Sequence, residues 1–430
     1  MITFKQFHFF LLYALCFSDF GLMPEVEALG INYGQIGNNL LPPEDVLVLL
    51  SSLKVTKTRI YDTNPQILTA FANSGIELIV TVENENLNVL MNPEQALQWV
   101  AAHIKPYFPA TRITGISVGN EIFTSSDSSL MSSLVPAMIS IHGALVQLGL
   151  DSYIQVSSAS SLGVLADSFP PSAGTFESDL NGLMSQFLQF LWNTKAPFWI
   201  NAYPYFAYKD DPNRISLDYV LFNPNTGMVD PYTKVHYDNM LYAQVDAVIF
   251  ALSRMGYGSM EVRVSETGWP SKGDPNEYGA TLQNAAIYNR NLLRRQMNNE
   301  GTPLRPHQKL EVYVFALFNE DMKPGPTSER NYGLYHPDGT MAYNLGLSAL
   351  STPSSTPASI TTTPSSTPAS ITTTPSSTPA SIITTPSSTP ASVSLTSSAT
   401  HQARTSGYES LGYWIFVYLL TFQVVMRRPF

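Results

Sequence analysis

The segment V-R-V-S-E-T-G-W-P-S-K-G, residues 262–273, ends a short apolar run with a single carboxylate, Glu266. Gly268 and Pro270 follow, and residues of these types stop a strand and open a loop. The segment therefore predicts a strand that presents a glutamate beside an aromatic side chain, Trp269. This arrangement fits a sugar site, but it also fits a solvated carboxylate in a turn, and the segment alone leaves both open.

Seven further apolar runs alternate with longer helical patterns between Leu29 and Leu350. Such alternation is typical of βα units around a parallel sheet. With 262–265, the predicted strands are 30–33, 55–61, 76–82, 113–118, 153–157, 198–202 and 312–318. We therefore predict an α/β fold, a (β/α)8 TIM barrel that forms a single catalytic domain over residues 29–350. A doubly wound sheet is the alternative, but the glycine-rich phosphate turn typical of it does not follow the first strand.

Helix signals and one long connection support the barrel. Asn92 and Pro93 offer a cap and a proline at the first helical position. A second helix is predicted from an apolar stripe at helical spacing, formed by Leu241, Val245, Val248 and Leu252. The connection 203–237 is too long for an ordinary βα loop, so we expect it to form one wall of a cleft at the C-terminal face.

Residues 1–28 have the features of a secretory signal peptide. Lys5 precedes an apolar run at 9–17, and the segment closes with V-E-A, a small-residue pattern that suits signal peptidase. Cleavage at that position or a few residues earlier fits equally. The only cysteine, Cys16, lies inside this segment, so the mature, secreted protein is expected to have no disulfide and no cysteine-ligated metal.

The chain after the barrel changes composition twice. Residues 351–397 repeat a Ser/Thr/Pro-rich unit, which predicts a disordered, extended stalk open to O-glycosylation. Residues 398–430 combine small residues, a polar spacer and the apolar run 411–426, the order of a GPI-attachment signal that is removed and replaced by lipid. This run is short for a membrane span, which favours a lipid anchor in the plasma membrane. Two terminal arginines leave a membrane anchor as the alternative.

The charge balance and the scattered histidines exclude several classes of protein. A net charge of −10 without a basic arm argues against nucleic acid as a partner. The seven histidines form no H-E-x-x-H motif, and no Walker loop is present. We therefore expect no metal and no organic cofactor.

Two glutamates are expected at one rim of the barrel. The fourth strand leads through Asn120 into Glu121, and the seventh leads into Glu266, so both carboxylates should reach the C-terminal face from opposite sides of the barrel. Paired carboxylates are what glycoside hydrolysis requires, one protonated to act as an acid and one ionised.

The eighth strand adds further polar groups, Glu320, Lys323 and Glu329. A lysine beside several carboxylates favours their charged forms. A surface ion-pair network is the alternative explanation of these three residues. Aromatic residues also cluster near the strand ends, and as a set they suit the flat faces of sugar rings, although singly each is more often part of a core: Tyr33, Tyr61, Tyr203, Tyr205, Phe206, Trp269 and Phe318.

One motif points to a different chemistry. Gly115 to Gly119 match G-x-S-x-G, the nucleophile elbow of esterases, which would make Ser117 the nucleophile. An elbow serine lies on a turn into a helix, whereas Ile116 and Val118 alternate around Ser117 as in a strand. This argues against an esterase.

The motifs together resemble those of plant glucan endo-1,3-β-glucosidases of glycoside hydrolase family 17. The resemblance covers residues 29–350 and rests on six segments, G-I-N-Y-G-Q-I-G-N-N-L, R-I-Y-D, V-G-N-E, N-A-Y-P-Y-F, S-E-T-G-W-P-S-K-G and A-L-F-N-E-D-M-K-P-G-P-T-S-E-R-N-Y-G-L. It implies a retaining endo-hydrolase of β-1,3-glucan, such as callose or fungal-wall glucan, on a (β/α)8 barrel. The predicted signal peptide and anchor signal would place this hydrolase at the cell surface. A non-catalytic glucan-binding protein is the alternative.

The resemblance also implies roles for individual residues. Glu121 would be the proton donor, and Glu266 the nucleophile. Glu320, Lys323 and Glu329 would support them. Residues expected to contact the glucan are Tyr33, Asn120, Tyr203, Trp269 and Phe318. We expect a monomer. One departure is Glu83, where the family commonly has proline, so the loop there is expected to differ in shape.

Overall fold

The structure, a computed structural model, describes residues 29–346. Eight parallel strands close into a barrel in which each strand pairs with its neighbours in sequence and the eighth pairs with the first. Their bounds are β1 Leu29–Asn32, β2 Val55–Arg59, β3 Glu77–Val82, β4 Arg112–Asn120, β5 Gln155–Ser161, β6 Phe198–Asn201, β7 Val262–Thr267 and β8 Val312–Val314. The predicted (β/α)8 barrel is therefore confirmed.

Helices surround this barrel. They are α1 Pro43–Ser52, α2 Pro65–Ala70, α3 Leu87–Leu90, α4 Pro93–His103, α5 Ser128–Leu148, α6 Asn181–Thr194, α7 Pro204–Asp210, α8 Leu217–Val220, α9 Met240–Arg254 and α10 Leu282–Met297. Within residues 29–346, α5 is long and apolar enough to cross a membrane by length and composition, but half of its apolar window is buried inside the protein, as in a core helix.

The predicted helix signals are confirmed. Asn92 caps α4, because its Oδ1 accepts hydrogen bonds from the backbone N–H groups of Glu94 and Gln95 at 2.9 and 3.2 Å. The stripe on α9 is buried over its whole length, from Leu241 to Leu252. These helices therefore form where local capping and apolar periodicity agree.

Strand boundaries were predicted less well. The predicted fifth strand began at Tyr153, which instead lies in a turn where its N–H donates to the carbonyl of Leu150. The predicted eighth strand was too long, because the chain leaves the regular ladder after Val314, and Phe315 donates instead to the carbonyl of Thr267.

Large and small residues alternate inside the barrel. A Cβ at Gly30 would lie 2.8 Å from the ring of Tyr313, and one at Gly115 would lie 3.3 Å from the ring of Trp199. The two glycines therefore make room for two aromatic rings that fill the lumen. Because the lumen is packed, the site can only be built above it, at the strand ends.

The connection 203–237 contains α7, α8 and a short antiparallel hairpin of 228–229 with 236–237. A second hairpin, 165–167 with 175–176, follows β5 and was not predicted. The predicted signal peptide, stalk and anchor signal lie outside the described residues.

Candidate active site

The two predicted glutamates lie at the same end of the barrel. Glu121 directly follows β4, and Glu266 is the penultimate residue of β7. Two strands, β5 and β6, separate β4 from β7 along the closed sheet, so the prediction that the glutamates come from opposite sides of the barrel is wrong in detail. On the shorter arc, Asn201 of β6 is the register partner of Glu266 in the sheet, and its side chain donates a hydrogen bond to the Glu121 carboxylate.

Glu266 is 6% exposed and is held by three donors. Its Oε1 accepts from Arg59 Nη1 at 2.8 Å and from the Tyr61 hydroxyl at 2.7 Å, and its Oε2 accepts from the Tyr203 hydroxyl at 2.9 Å. Burial, and then the Glu266 charge, raise the pKa of both tyrosines well above the usual range, so they remain donors. Three hydrogen-bond donors therefore converge on this carboxylate, one of them a cation.

Glu121 has the opposite environment. Burial, followed by the charge of Glu266, raises its pKa to about 7. One side-chain hydrogen bond reaches it, from Asn201 Nδ2 to Oε1 at 2.8 Å. The raised pKa of Glu121 suits a group that must carry a proton in order to give it up.

The backbone at Glu121 is left-handed, with φ 56° and ψ 31°. Few side chains adopt this conformation, which costs about 1 kcal/mol or more. Asn84 holds the backbone of Asn120, the residue before Glu121. Its Oδ1 accepts from Asn120 N at 2.8 Å, and its Nδ2 donates to Asn120 O at 3.2 Å. The Glu121 N–H donates to the carbonyl of Ala159 at 2.8 Å. The surroundings thus fix the conformation that aims this carboxylate.

Lys323 joins the other two predicted carboxylates. Its Nζ lies 3.0 Å from Glu329 and 3.7 Å from Glu320. Burial raises the pKa of Glu320, and Lys323 opposes that shift. Burial alone would lower the pKa of Lys323, but Glu329 and Glu320 raise it above its ordinary value. Because the cluster also acts on Glu121 and Glu266 electrostatically, it belongs to the site and is not a surface network.

The predicted glucan contacts divide into two groups. Asn120 and Tyr203 are partly exposed at the rim. Trp269 and Phe318 are completely buried, and Tyr33 is 2% exposed. The Trp269 indole donates to Gly279 O at 2.8 Å and packs against Tyr205. The prediction that Trp269 and Phe318 contact glucan is therefore wrong, because neither side chain is exposed.

Ser117 is not a nucleophile elbow. It lies inside β4 with no exposed surface, and its hydroxyl donates to Gly119 O at 2.9 Å. Glu83 has φ −65° and ψ 148°, a conformation that proline also adopts. The expectation that the loop differs in shape at Glu83 is therefore not supported by its backbone.

Arg59, Asn84 and Asn201 were given no role from sequence, and Tyr61 was named only as one of the aromatic residues near the strand ends. Arg59 and Tyr61 stand in the quoted R-I-Y-D segment, and Asn201 begins N-A-Y-P-Y-F, so their motifs were visible although their contacts were not. Asn84 had no such signal. Within residues 29–346, no cluster of three or more His, Cys, Asp or Glu is arranged to hold a metal ion.

The sequence matches the model of the glycosyl hydrolases family 17 over residues 29–347. Glucan endo-1,3-beta-glucosidase 11 of Arabidopsis thaliana is 54% identical over 323 residues, which is 75% of this chain and 76% of that protein. Glucan endo-1,3-beta-glucosidase 14 of the same plant is 49% identical over 348 residues, which is 81% and 89% of the two chains.

Two solved structures share the fold at high coverage. CJP38, a beta-1,3-glucanase and allergen of Cryptomeria japonica pollen, is 42% identical with a TM-score of 0.71, over 74% of this chain and 98% of that one. A structure from a study of two plant beta-glucan endohydrolases with distinct substrate specificities is 35% identical with a TM-score of 0.68, over 74% and 99% of the two chains.

Proposed function

The chain belongs to the glycosyl hydrolases family 17, and we infer that it hydrolyses internal 1,3-β-D-glucosidic linkages of a β-1,3-glucan. The substrate would be callose or a fungal-wall glucan. The observation that carries this inference is the contrast between the surroundings of two carboxylates: Glu121 has a pKa raised to about 7, and Glu266 accepts hydrogen bonds from three donors.

The reaction we propose is a double displacement with retention of configuration. Glu266 attacks the anomeric carbon and forms a glycosyl ester, while Glu121 gives its proton to the leaving oxygen as the glycosidic bond breaks. Glu121, now ionised, takes a proton from water, whose oxygen displaces Glu266 from the anomeric carbon. Both groups are then restored.

The supporting groups have distinct proposed roles. Arg59, Tyr61 and Tyr203 orient the Glu266 carboxylate. As Glu266 bonds to the anomeric carbon, the negative charge that these donors stabilise is drawn into the new bond. Lys323, held in place by Glu329 and Glu320, brings one positive charge to the site, and a cation favours a carboxylate in its ionised form. Asn120 Oδ1 already accepts from Arg59, so its amide nitrogen is the atom available to a sugar hydroxyl.

Two experiments test the function. Glu266→Gln in the full-length protein is expected to lose turnover of linear β-1,3-glucan by about 10³-fold or more, whereas Glu85→Gln, on an exposed carboxylate, retains it. NMR of the first products is expected to show the β-anomer. Binding of glucan by the wild-type protein without hydrolysis would favour the non-catalytic alternative.

We also propose secretion and a lipid anchor at the plasma membrane, with residues 351–397 as the spacer and the barrel as a monomer. The sequence order of spacer and terminal apolar run supports this. Release of the protein from membranes by a phosphatidylinositol-specific phospholipase is expected. Retention after that treatment would favour the membrane-spanning alternative.

A further inference from the structure

Asn201 is the register partner of Glu266 in the sheet, and its side chain contacts Glu121 with only 2% of the residue exposed. Its Nδ2 donates to Glu121 Oε1 at 2.8 Å and to Asn120 Oδ1 at 3.4 Å, and its Oδ1 accepts from the Ser265 hydroxyl at 2.7 Å. An amide buried in this way can present either its oxygen or its nitrogen to a neighbour, and the choice decides what it does to Glu121.

Arg59 determines which atom Asn201 presents to Glu121. A guanidinium has only donors, so the atom of Asn120 that meets Arg59 Nη2 at 2.8 Å must be the acceptor Oδ1. Since this oxygen also faces Asn201, the group that Asn201 turns toward it must be the amide nitrogen. The oxygen of Asn201 then faces Ser265, whose hydroxyl can supply the donor it needs.

We propose that Asn201 is a positioning residue for Glu121, locked by Arg59 through Asn120 and by Ser265 so that it always donates to Glu121 Oε1. The proposal rests on the acid/base role proposed above. Because Oε1 is committed as an acceptor, the transferable proton of Glu121 resides on Oε2. It leaves Oε2 for the glycosidic oxygen as the bond from that oxygen to the anomeric carbon breaks and Glu266 bonds to the same carbon.

The same hydrogen bond tunes the acid. Burial and the charge of Glu266 on β7 raise the pKa of Glu121, whereas Asn201 on β6, Lys323 after β8 and Arg59 on β2 lower it. Of the groups that lower it, Asn201 is the one in hydrogen-bond contact. Without this donor, the acid would hold its proton more tightly and give it up less readily to the leaving oxygen.

Asn201→Ala in the full-length protein tests the proposal. The pH above which kcat/KM on soluble β-1,3-glucan falls is expected to rise by about one unit, because the ionised carboxylate of Glu121 loses a hydrogen-bond donor. Turnover of the glucan is expected to fall by about 10-fold or more. Formation of the glycosyl-enzyme from a dinitrophenyl β-1,3-linked disaccharide, whose leaving group needs no proton, is expected to change by less than about threefold.

Serine variants provide a second measurement that does not depend on Asn201→Ala folding. Ser265→Ala removes the donor to Asn201 Oδ1 and is expected to shift the profile in the same direction by a smaller amount. Ser157→Ala is the matched control, because Ser157 is also buried in a barrel strand but donates to Pro197 O at 2.8 Å, outside this network. Its profile is expected to match the wild type.

The outcomes separate the two proposals. A wild-type protein without activity on β-1,3-glucan refutes the proposed function. If the wild type is active and Asn201→Ala folds, two results overturn only the role of Asn201. One is an unchanged pH profile, and the other is an equal loss of activity on the glucan and on the dinitrophenyl disaccharide. If Asn201→Ala does not fold, an unshifted profile in Ser265→Ala overturns it instead.

Discussion

Arg59 Nη1 lies 2.8 Å from Glu266 Oε1, and the Arg59 side chain has no exposed surface. Its second nitrogen, Nη2, donates to Asn120 at the same distance. One buried guanidinium therefore connects the residue that would attack the sugar with the residue that precedes the acid. A lysine has no planar fork and cannot serve both positions at once.

Arg59→Lys is accordingly expected to lower kcat on β-1,3-glucan by about 100-fold or more. Arg112→Lys is the matched control, because Arg112 also pairs with a glutamate, Glu77 at 2.9 Å, but is 61% exposed at the other end of β4. Exposed pairs contribute little. Activity of Arg59→Lys within threefold of the wild type, in steady-state assays of both variants, would contradict the role given to Arg59.

The pH dependence of activity should report Glu121. This group must be protonated to act, and burial raises its pKa to about 7. We expect kcat/KM to fall above about pH 7 on glucan. A profile that stays flat to pH 9 would show that a different group supplies the proton.

The raised pKa of Glu121 also has a cost in stability. Its pKa rises from 4.5 to about 7 on folding, so the ionised carboxylate destabilises the folded state, with no effect below pH 4.5 and the full effect above pH 7. The shift corresponds to about 3 kcal/mol, or about 2 kcal/mol after allowance for partial exposure. Glu121→Gln should thus unfold later than the wild type in urea at pH 8, and the gain should vanish near pH 4. An equal gain at both pH values would argue against this origin.

Asn84 should affect the reaction without touching the substrate. Asn84→Ala removes both hydrogen bonds to the Asn120 backbone and releases the left-handed turn at Glu121. We expect kcat to fall about 10-fold, because small displacements of a reacting group cost large factors in rate. Asn88→Ala, whose Oδ1 accepts from Ser133, is the control and should retain activity. Equal kcat values for the two variants would show that Asn84 does not position Glu121 for the reaction.

Gly34 leaves room for Glu320. A Cβ at Gly34 would overlap Glu320 Oε1, so Gly34→Ala must displace that carboxylate. We expect about a 10-fold loss of kcat/KM. At Gly143 in α5 an added Cβ meets nothing within 4 Å, so Gly143→Ala should leave activity unchanged and raise stability by about 0.5 to 1 kcal/mol. Full activity in Gly34→Ala would mean that the position of Glu320 is unimportant.

The sequence was most informative where local rules determine structure. The eight strands followed from alternating apolar runs, and both glutamates could be placed at one rim because the C-terminal ends of parallel strands meet there. The contacts of Arg59 could not be predicted in this way. Its partners lie 207 and 61 positions away, and only closure of the barrel brings them together.

Exposure was a second property that patterns did not reveal. Trp269 and Tyr203 both follow strand ends and looked equivalent in sequence. The structure buries Trp269 behind the rim and leaves Tyr203 within 2.9 Å of Glu266. Which aromatic faces the cleft depends on how the long connection 203–237 packs, and that is a tertiary property.

The covalent role of Glu266 can be measured directly. The full-length protein would be incubated with a dinitrophenyl β-1,3-linked disaccharide carrying 2-fluorine on the sugar at the cleaved bond, which slows release of the glycosyl-enzyme, and the labelled peptide would be sequenced by mass spectrometry. We predict a single label on Glu266. A label on Glu121 or Glu320, or active enzyme that releases the α-anomer without any label, would contradict the mechanism.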